Sequence, residues 1–202
     1  MKKNSKKKRR LVKLEKLVKR WEFCSRCDLS ETRENVVFYR GHPCAKILAI
    51  GEAPGETEDQ EGVPFVGKSG KELDAMFVDC GLSLKKHIFV ANVLGCRPPN
   101  NDNPKPNQVR RCSPRIERLI EIVNPKVILL LGGQAALHMA GVTQVGQWKG
   151  RFVTVRILGG DVTFPAIVTY HPSYYLRRGR NEKIKKEITS HIQRAVDFVN
   201  GE

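Results

Sequence analysis

The strongest constraint on how this chain can fold is a set of short runs that are apolar on both faces, separated by segments with helical spacing. Val127–Leu131 (VILLL) is the clearest, and Lys46–Gly51 (KILAIG) and His87–Val93 (HIFVANV) are of the same kind. A strand with one face in water alternates apolar and polar residues, whereas a strand apolar throughout must be covered on both faces. Between the runs, Ser69–Gly81 spaces Leu73, Met76 and Phe77 as a helix does, with Ser69 as the expected N-cap. Gln108–Val123 likewise puts Ile116, Leu119, Ile120 and Val123 on one face. Gly133–Ala140 is a short helix, Phe152–Ile157 and Ala166–Tyr170 are further strands, and Asn181–Val199 is an amphipathic closing helix. The pattern predicts an α/β fold, a three-layer α/β/α sandwich with a central, mostly parallel sheet. Ligands of such sheets bind beyond the strand carboxyl ends. The unusual segments fall there: Glu52–Gly67, Asn92–Asn101 and His171–Arg180, all expected to be loops.

Charge narrows the partner. Lys and Arg number 36 against 21 Asp and Glu, a net +15, and the excess is concentrated. Lys2 to Arg20 holds eleven basic residues and one acid, Glu15. Residues 1–20 are therefore expected to be a basic arm leading into a short helix, Lys13–Phe23, with residues 21–202 as a single domain. A polycation of this kind binds polyanions by releasing their condensed counterions, which favours nucleic acid. A solubilising tail or a localisation signal would look similar. Leu11, Leu14, Leu17, Val18 and Trp21 form a stripe suited to docking on the protein rather than on a membrane. No apolar run approaches the roughly 20 residues of a membrane span. The start lacks the apolar core of a secretion signal, so an intracellular, reducing location in the cytoplasm or nucleoid is expected, with no membrane partner.

Six cysteines without a secretion signal read as thiols, some of them metal ligands, rather than disulfides. Cys24 and Cys27 form a C-x2-C pair, and Cys96 and Cys112 a C-x15-C pair. Four thiolates can close a zinc site or an iron–sulfur cluster. Zinc ribbons usually pair two short knuckles, so the long second spacing leans toward iron–sulfur without settling it. Cys44 and Cys80 have no paired spacing and are expected to be ordinary buried thiols.

One motif misleads. Gly62–Ser69 (GVPFVGKS) fits the phosphate-loop pattern letter for letter. That pattern binds phosphate when the loop leaves a strand directly, and here the acidic run Glu56–Glu61 precedes it. The segment reads better as a pocket wall, with Glu52, Glu58 and the loop aromatic Phe65 placed to meet a flat ligand. His171 follows a strand directly and precedes Arg177, Arg178 and Arg180, which suits a catalytic group beside a phosphate backbone.

Taken together, GEAPGETEDQEGVPFVGKSG (Gly51–Gly70), ANVLGCRPPNN (Ala91–Asn101), Cys112 and HPSYYLR (His171–Arg177) resemble the motifs of the family 4, iron–sulfur uracil-DNA glycosylases. The resemblance runs from about Cys24 to the C-terminal helix. It implies a glycosylase fold and a monofunctional, monomeric repair enzyme that hydrolyses the N-glycosidic bond of flipped-out deoxyuridine in DNA. By resemblance, Glu52 is the carboxylate near the sugar and Glu58 its supporting acid. Phe65 stacks on the base, Asn92 reads its edge, and His171 hydrogen-bonds a uracil carbonyl. Ser173 and Arg177 press on the duplex, and Cys24, Cys27, Cys96 and Cys112 hold a structural 4Fe–4S cluster. The chain departs from the family pattern at Asn100, where Gly is frequent, and in its long basic arm. His171–Arg180 holds no second His, which argues against the relatives that link covalently to DNA. Two alternatives stand beside this reading: altered lesion specificity on the same fold, and a non-catalytic zinc module that binds nucleic acid.

Overall fold

The computed structural model describes residues 2–202. Six strands form one sheet: β1 (Arg40–Gly41), β2 (Ile47–Gly51), β3 (Ile88–Asn92), β4 (Val127–Leu131), β5 (Phe152–Ile157) and β6 (Val162–Thr169). Their order across the sheet is β1-β3-β2-β4-β6-β5. The inner four run parallel, and the edge strands β1 and β5 are antiparallel. β2, β3 and β4 are buried at every position, as their unbroken apolar runs require.

Eight helices are described: α1 (Lys2–Trp21), α2 (Glu56–Glu61), α3 (Lys68–Asp79), α4 (Pro106–Val123), α5 (Gly133–Ala140), α6 (Val145–Trp148), α7 (Pro172–Arg177) and α8 (Glu182–Asn200). Successive strand residues split between two cores. Leu48, Ile50, Ile128 and Leu130 pack with Leu14, Leu17 and Trp21 of α1 and Ile116, Leu119 and Ile120 of α4. Ile47, Ala49, Val127 and Leu129 pack with Leu73, Met76 and Phe77 of α3 and Ile188 and Ile192 of α8. The result is the expected three-layer sandwich.

Four local expectations change. Helix α1 begins at Lys2, not Lys13, so the expected arm is helical as far as it is described; Met1 lies outside the described residues. Lys and Arg are good helix formers, and Leu14, Leu17 and Trp21 anchor the helix while Arg10 Nη1 donates to Pro43 O at 3.2 Å. The acidic stretch of Glu52–Gly67 forms α2, its carboxylates favoured in the first turn, and Gly62 ends it at φ 70°. Gly67, not Ser69, is the N-cap of α3. Residues 172–177 form α7, opened by a proline at the first helical position, where its missing N–H costs nothing. Among the described residues, no helix is long and apolar enough to cross a membrane.

Candidate active site

Strands β2, β3 and β6 carry Glu52, Asn92 and His171 to one edge of the sheet, and the turn after β4 adds Gly132. These residues line a cleft of about 570 Å³ together with Gly55, Glu58, Phe65, Ser69, Asn101, Asp102, Gln134, Ser173 and Arg177. The cleft lies at the carboxyl ends of the parallel strands, where such sheets bind ligands.

Glycine makes room at its floor. The parallel register pairs Gly51 with Asn92. A Cβ at residue 51 would fall 2.4 Å from Phe65 Cζ and 2.5 Å from Asn92 Oδ1. Phe65 is buried and holds the left-handed conformation at φ 57°, costly for a bulky residue and typical of functional positions. Two features explain how it is held. Arg40 Nη2 donates to Phe65 O at 2.8 Å while the same guanidinium forks onto Asp74 at 2.8 and 2.7 Å. A Cβ at Gly70 would lie 1.8 Å from Phe65 O, so only glycine allows that turn.

Asn92 is 2% exposed, and its Oδ1 has no hydrogen-bond partner among the described residues. An unpaired buried acceptor costs about 1–3 kcal/mol, which marks it as a group kept for a ligand. Opposite, the ring centroid of His171 stands 5.7 Å from that of Phe65. The Ser173 amide donates to His171 Nδ1 at 3.1 Å, and Ser173 Oγ lies 2.8 Å from the same nitrogen. Arg177 Nη1 donates to Ser173 Oγ at 2.8 Å. Burial, helped by the charge of Arg177, lowers the pKa of His171 to about 4. The ring is neutral near pH 7, with Nδ1 an acceptor and the proton on Nε2. Burial raises the pKa of Glu52, and Arg177 opposes that rise.

Glu58 is placed differently from the other acids. Its Oε1 accepts the Gly67 amide at 2.7 Å and its Oε2 the Gly55 amide at 3.2 Å, so the carboxylate staples the two ends of the α2 loop. That loop also removes the phosphate-loop pattern, because Gly62 follows a helix rather than a strand. Sequence reasoning missed Arg40, Gly132 and Gln134. A Cβ at Gly132, φ 92°, would sit 2.9 Å from His171 Cβ. The sequence signal for it was a glycine directly after VILLL.

Cys24, Cys27, Cys96 and Cys112 line one small pocket with Leu29, Arg33 and Leu94. Arg33 Nη1 lies 3.6 Å from Cys96 Sγ, and Gly95 donates its amide to Cys112 Sγ at 3.4 Å. Burial pushes the Cys96 thiol up to about 11 against the pull of Arg33. Among the described residues, no three His, Cys, Asp or Glu side chains are gathered closely enough to hold a single metal ion. Cys44 and Cys80 stand apart from this set, both half-buried, with Cys80 Sγ donating to Thr189 O.

Residues 38–193 match the family model described as the uracil DNA glycosylase superfamily. The type-4 uracil-DNA glycosylase of Thermotoga maritima is 36% identical over 179 residues, covering 89% of this chain and 91% of the relative. Those of Archaeoglobus fulgidus, 38% identical over 82% of this chain and 84% of the relative, and Saccharolobus solfataricus, 36% over 86% and 82%, are similar to it in the same way. With a match across most of its length and a cleft at the expected edge of the sheet, this chain belongs to the uracil-DNA glycosylase superfamily.

Proposed function

We propose that this protein excises uracil from DNA, hydrolysing the N-glycosidic bond of an extruded deoxyuridine and leaving an abasic site. One observation carries the reading: the Oδ1 of buried Asn92, without a partner among the described residues, shares a cleft with Phe65 and the neutral His171. An amide matches uracil, its Oδ1 accepting N3–H and its Nδ2 donating to O4. Cytosine presents an acceptor and an amine at those places, the reverse pattern. Phe65 supplies the stacking face for a base taken out of the duplex. The similarity to type-4 enzymes supports the same substrate.

In the reaction the C1′–N1 bond breaks with its electron pair passing to N1, and water oxygen bonds to C1′. His171 Nε2–H donates to a uracil carbonyl and stabilises the departing anion; a neutral donor does this without a proton transfer. Glu52 faces the sugar, balancing its positive charge and taking the proton of the attacking water. Ser173 and Arg177 hold the imidazole and meet the backbone. Glu58 shapes the pocket wall through its two amides rather than touching the substrate.

We further assign Cys24, Cys27, Cys96 and Cys112 to a structural 4Fe–4S cluster. Zinc ribbons usually pair two short knuckles, and the C-x15-C spacing of Cys96 and Cys112 departs from that pattern. A cubane gives each of four thiolates its own iron, and all four cysteines line the one pocket. When bound, the cluster supplies a fixed anionic centre and no electron to the reaction. The protein acts as a monomer on DNA in a reducing, intracellular setting.

The test is single-turnover cleavage of an end-labelled oligonucleotide with one uracil, developed with alkali, for wild type and Glu52→Ala. Scission with wild type that collapses in the variant supports the reading. No product in any uracil context, from protein with a full complement of iron and sulfide, overturns it in favour of another lesion.

A further inference from the structure

Arg115 leads the fully buried side chains in volume, with 0% of its surface exposed. A guanidinium cannot shed its charge, so it must be compensated where it lies. Its hydrogen bonds among the described residues go to no carboxylate. Nη2 donates to Asn92 O at 2.7 Å and Val93 O at 3.0 Å, and Nε lies 3.5 Å from Cys112 Sγ, one helical turn back on α4. Nη1 has no partner among the described residues. On the same sulfur, the Gly95 amide donates at 3.4 Å. Residues 92–95 thus run between the base-reading end of β3 and the cysteine pocket, clamped from one side by this single cation. Gly95 is small for the same reason: a Cβ there would lie 3.0 Å from Arg115 Nε and 3.3 Å from its Cζ.

We propose that Arg115 is a positioning residue that couples the four-cysteine centre to Asn92. The proposal rests on the cluster assignment above. The thiolates supply the counter-charge that lets the guanidinium stay buried, and the guanidinium in turn holds the carbonyls of Asn92 and Val93. The Asn92 side-chain oxygen gives this segment no anchor of its own, since Oδ1 has no hydrogen-bond partner among the described residues. Arg33 beside Cys96 shares the charge balance, but it meets the sulfur and not β3. On this arrangement the cluster acts on base recognition through one side chain, without entering the chemistry.

The test uses Arg115→Met, which removes the charge, and Gly95→Ala, which keeps it but crowds the guanidinium, the added Cβ lying 3.0 Å from Nε. Both are purified without oxygen, and their iron and sulfide are assayed. Two results are expected. The reduction potential of the bound cluster moves to more negative values in each variant, because a nearby cation or hydrogen-bond donor favours the added electron. Single-turnover uracil excision slows about 10-fold in each, yet shows no further decrease when the same change is made in Asn92→Ala. An unchanged potential, or the same decrease with and without Asn92, overturns the coupling. If Arg115→Met does not fold, Gly95→Ala decides by the same two measurements. Wild type lacking iron and sulfide overturns the cluster assignment and this proposal with it. A loaded, active wild type with additive effects overturns the coupling alone.

Discussion

The backbone amide of Ser173 donates to Nδ1 of His171 at 3.1 Å, which leaves Nε2 as the nitrogen that carries the proton. Burial and the charge of Arg177 act in the same direction, and the imidazole stays neutral down to about pH 4. The pH profile of excision should therefore have no inflection near 6.5, the ordinary histidine value. The rate should instead rise as pH climbs through the raised pKa of Glu52, whose carboxylate is needed ionised. Stability follows the same histidine. Its depressed pKa contributes stability that is fully present above 6.5 and is lost as pH falls toward about 4. A single-turnover profile for wild type and His171→Gln checks this. A step near the ordinary histidine value that vanishes in the variant would show that the imidazole titrates normally.

Asn92 separates function from stability. Its Oδ1 is a buried acceptor without a partner among the described residues, and removing it relieves a penalty of about 1–3 kcal/mol. The small cavity left behind offsets part of that gain. Asn92→Ala should melt no lower than wild type while excising uracil about 10²–10³-fold more slowly. Thermal unfolding beside single-turnover kinetics checks both halves. A drop of several degrees in Tm would make the amide a structural group.

What the sequence revealed, and what it hid, follows from the range of each interaction. VILLL and KILAIG announce buried strands because every neighbour in the run agrees, and the sheet then carries Glu52, Asn92 and His171 to one edge. Phe65 was legible as a loop aromatic in the pocket wall. Its support was not: Arg40 reaches Phe65 O across 25 residues and Asp74 across 34, and no local pattern records such a pair. Glu58 was legible as an acid near the site, but its role depends on the amides of Gly55 and Gly67, which only the folded turn brings to it. Arg115 sits among helical polar residues in sequence and reads as solvated; burial by the far side of the chain makes it a core residue. The first half of helix α1 was hidden by charge, since its apolar residues begin only at Leu11 and the expected helix started at Lys13.

Gly51→Ala should abolish base stacking without unfolding the protein. The added methyl would meet the Phe65 ring at 2.4 Å and Asn92 Oδ1 at 2.5 Å, so the ring must leave its place. Overpacking of this kind costs about 1–3 kcal/mol, less than a typical domain's stability. The expected outcome is a folded protein with a modestly lower Tm, excision reduced at least about 100-fold, and no rise in fluorescence of a 2-aminopurine placed beside the uracil. A variant with wild-type excision would show that the cleft floor is not where the base enters.

Truncation separates the two parts of α1. Residues 1–10 contain seven of the basic residues, while the buried anchors Leu14, Leu17 and Trp21 lie beyond them. Lys6, Lys7, Lys8 and Arg9 are exposed, and the Arg10 guanidinium donates to the body at Pro43 O. Deleting residues 1–10 should therefore leave the fold and the rate at saturating enzyme intact. DNA affinity should fall by a similar factor for every sequence, because binding to phosphates carries no base information. The slope of log affinity against log salt should flatten by about 0.9 for each phosphate that the truncated protein no longer neutralises. Fluorescence anisotropy titrations from about 50 to 200 mM salt, with and without uracil in the duplex, measure that slope. An unchanged slope would mean that the charged end of α1 does not lie on DNA. A truncation that instead abolishes excision at saturating enzyme would place it within the catalytic fold.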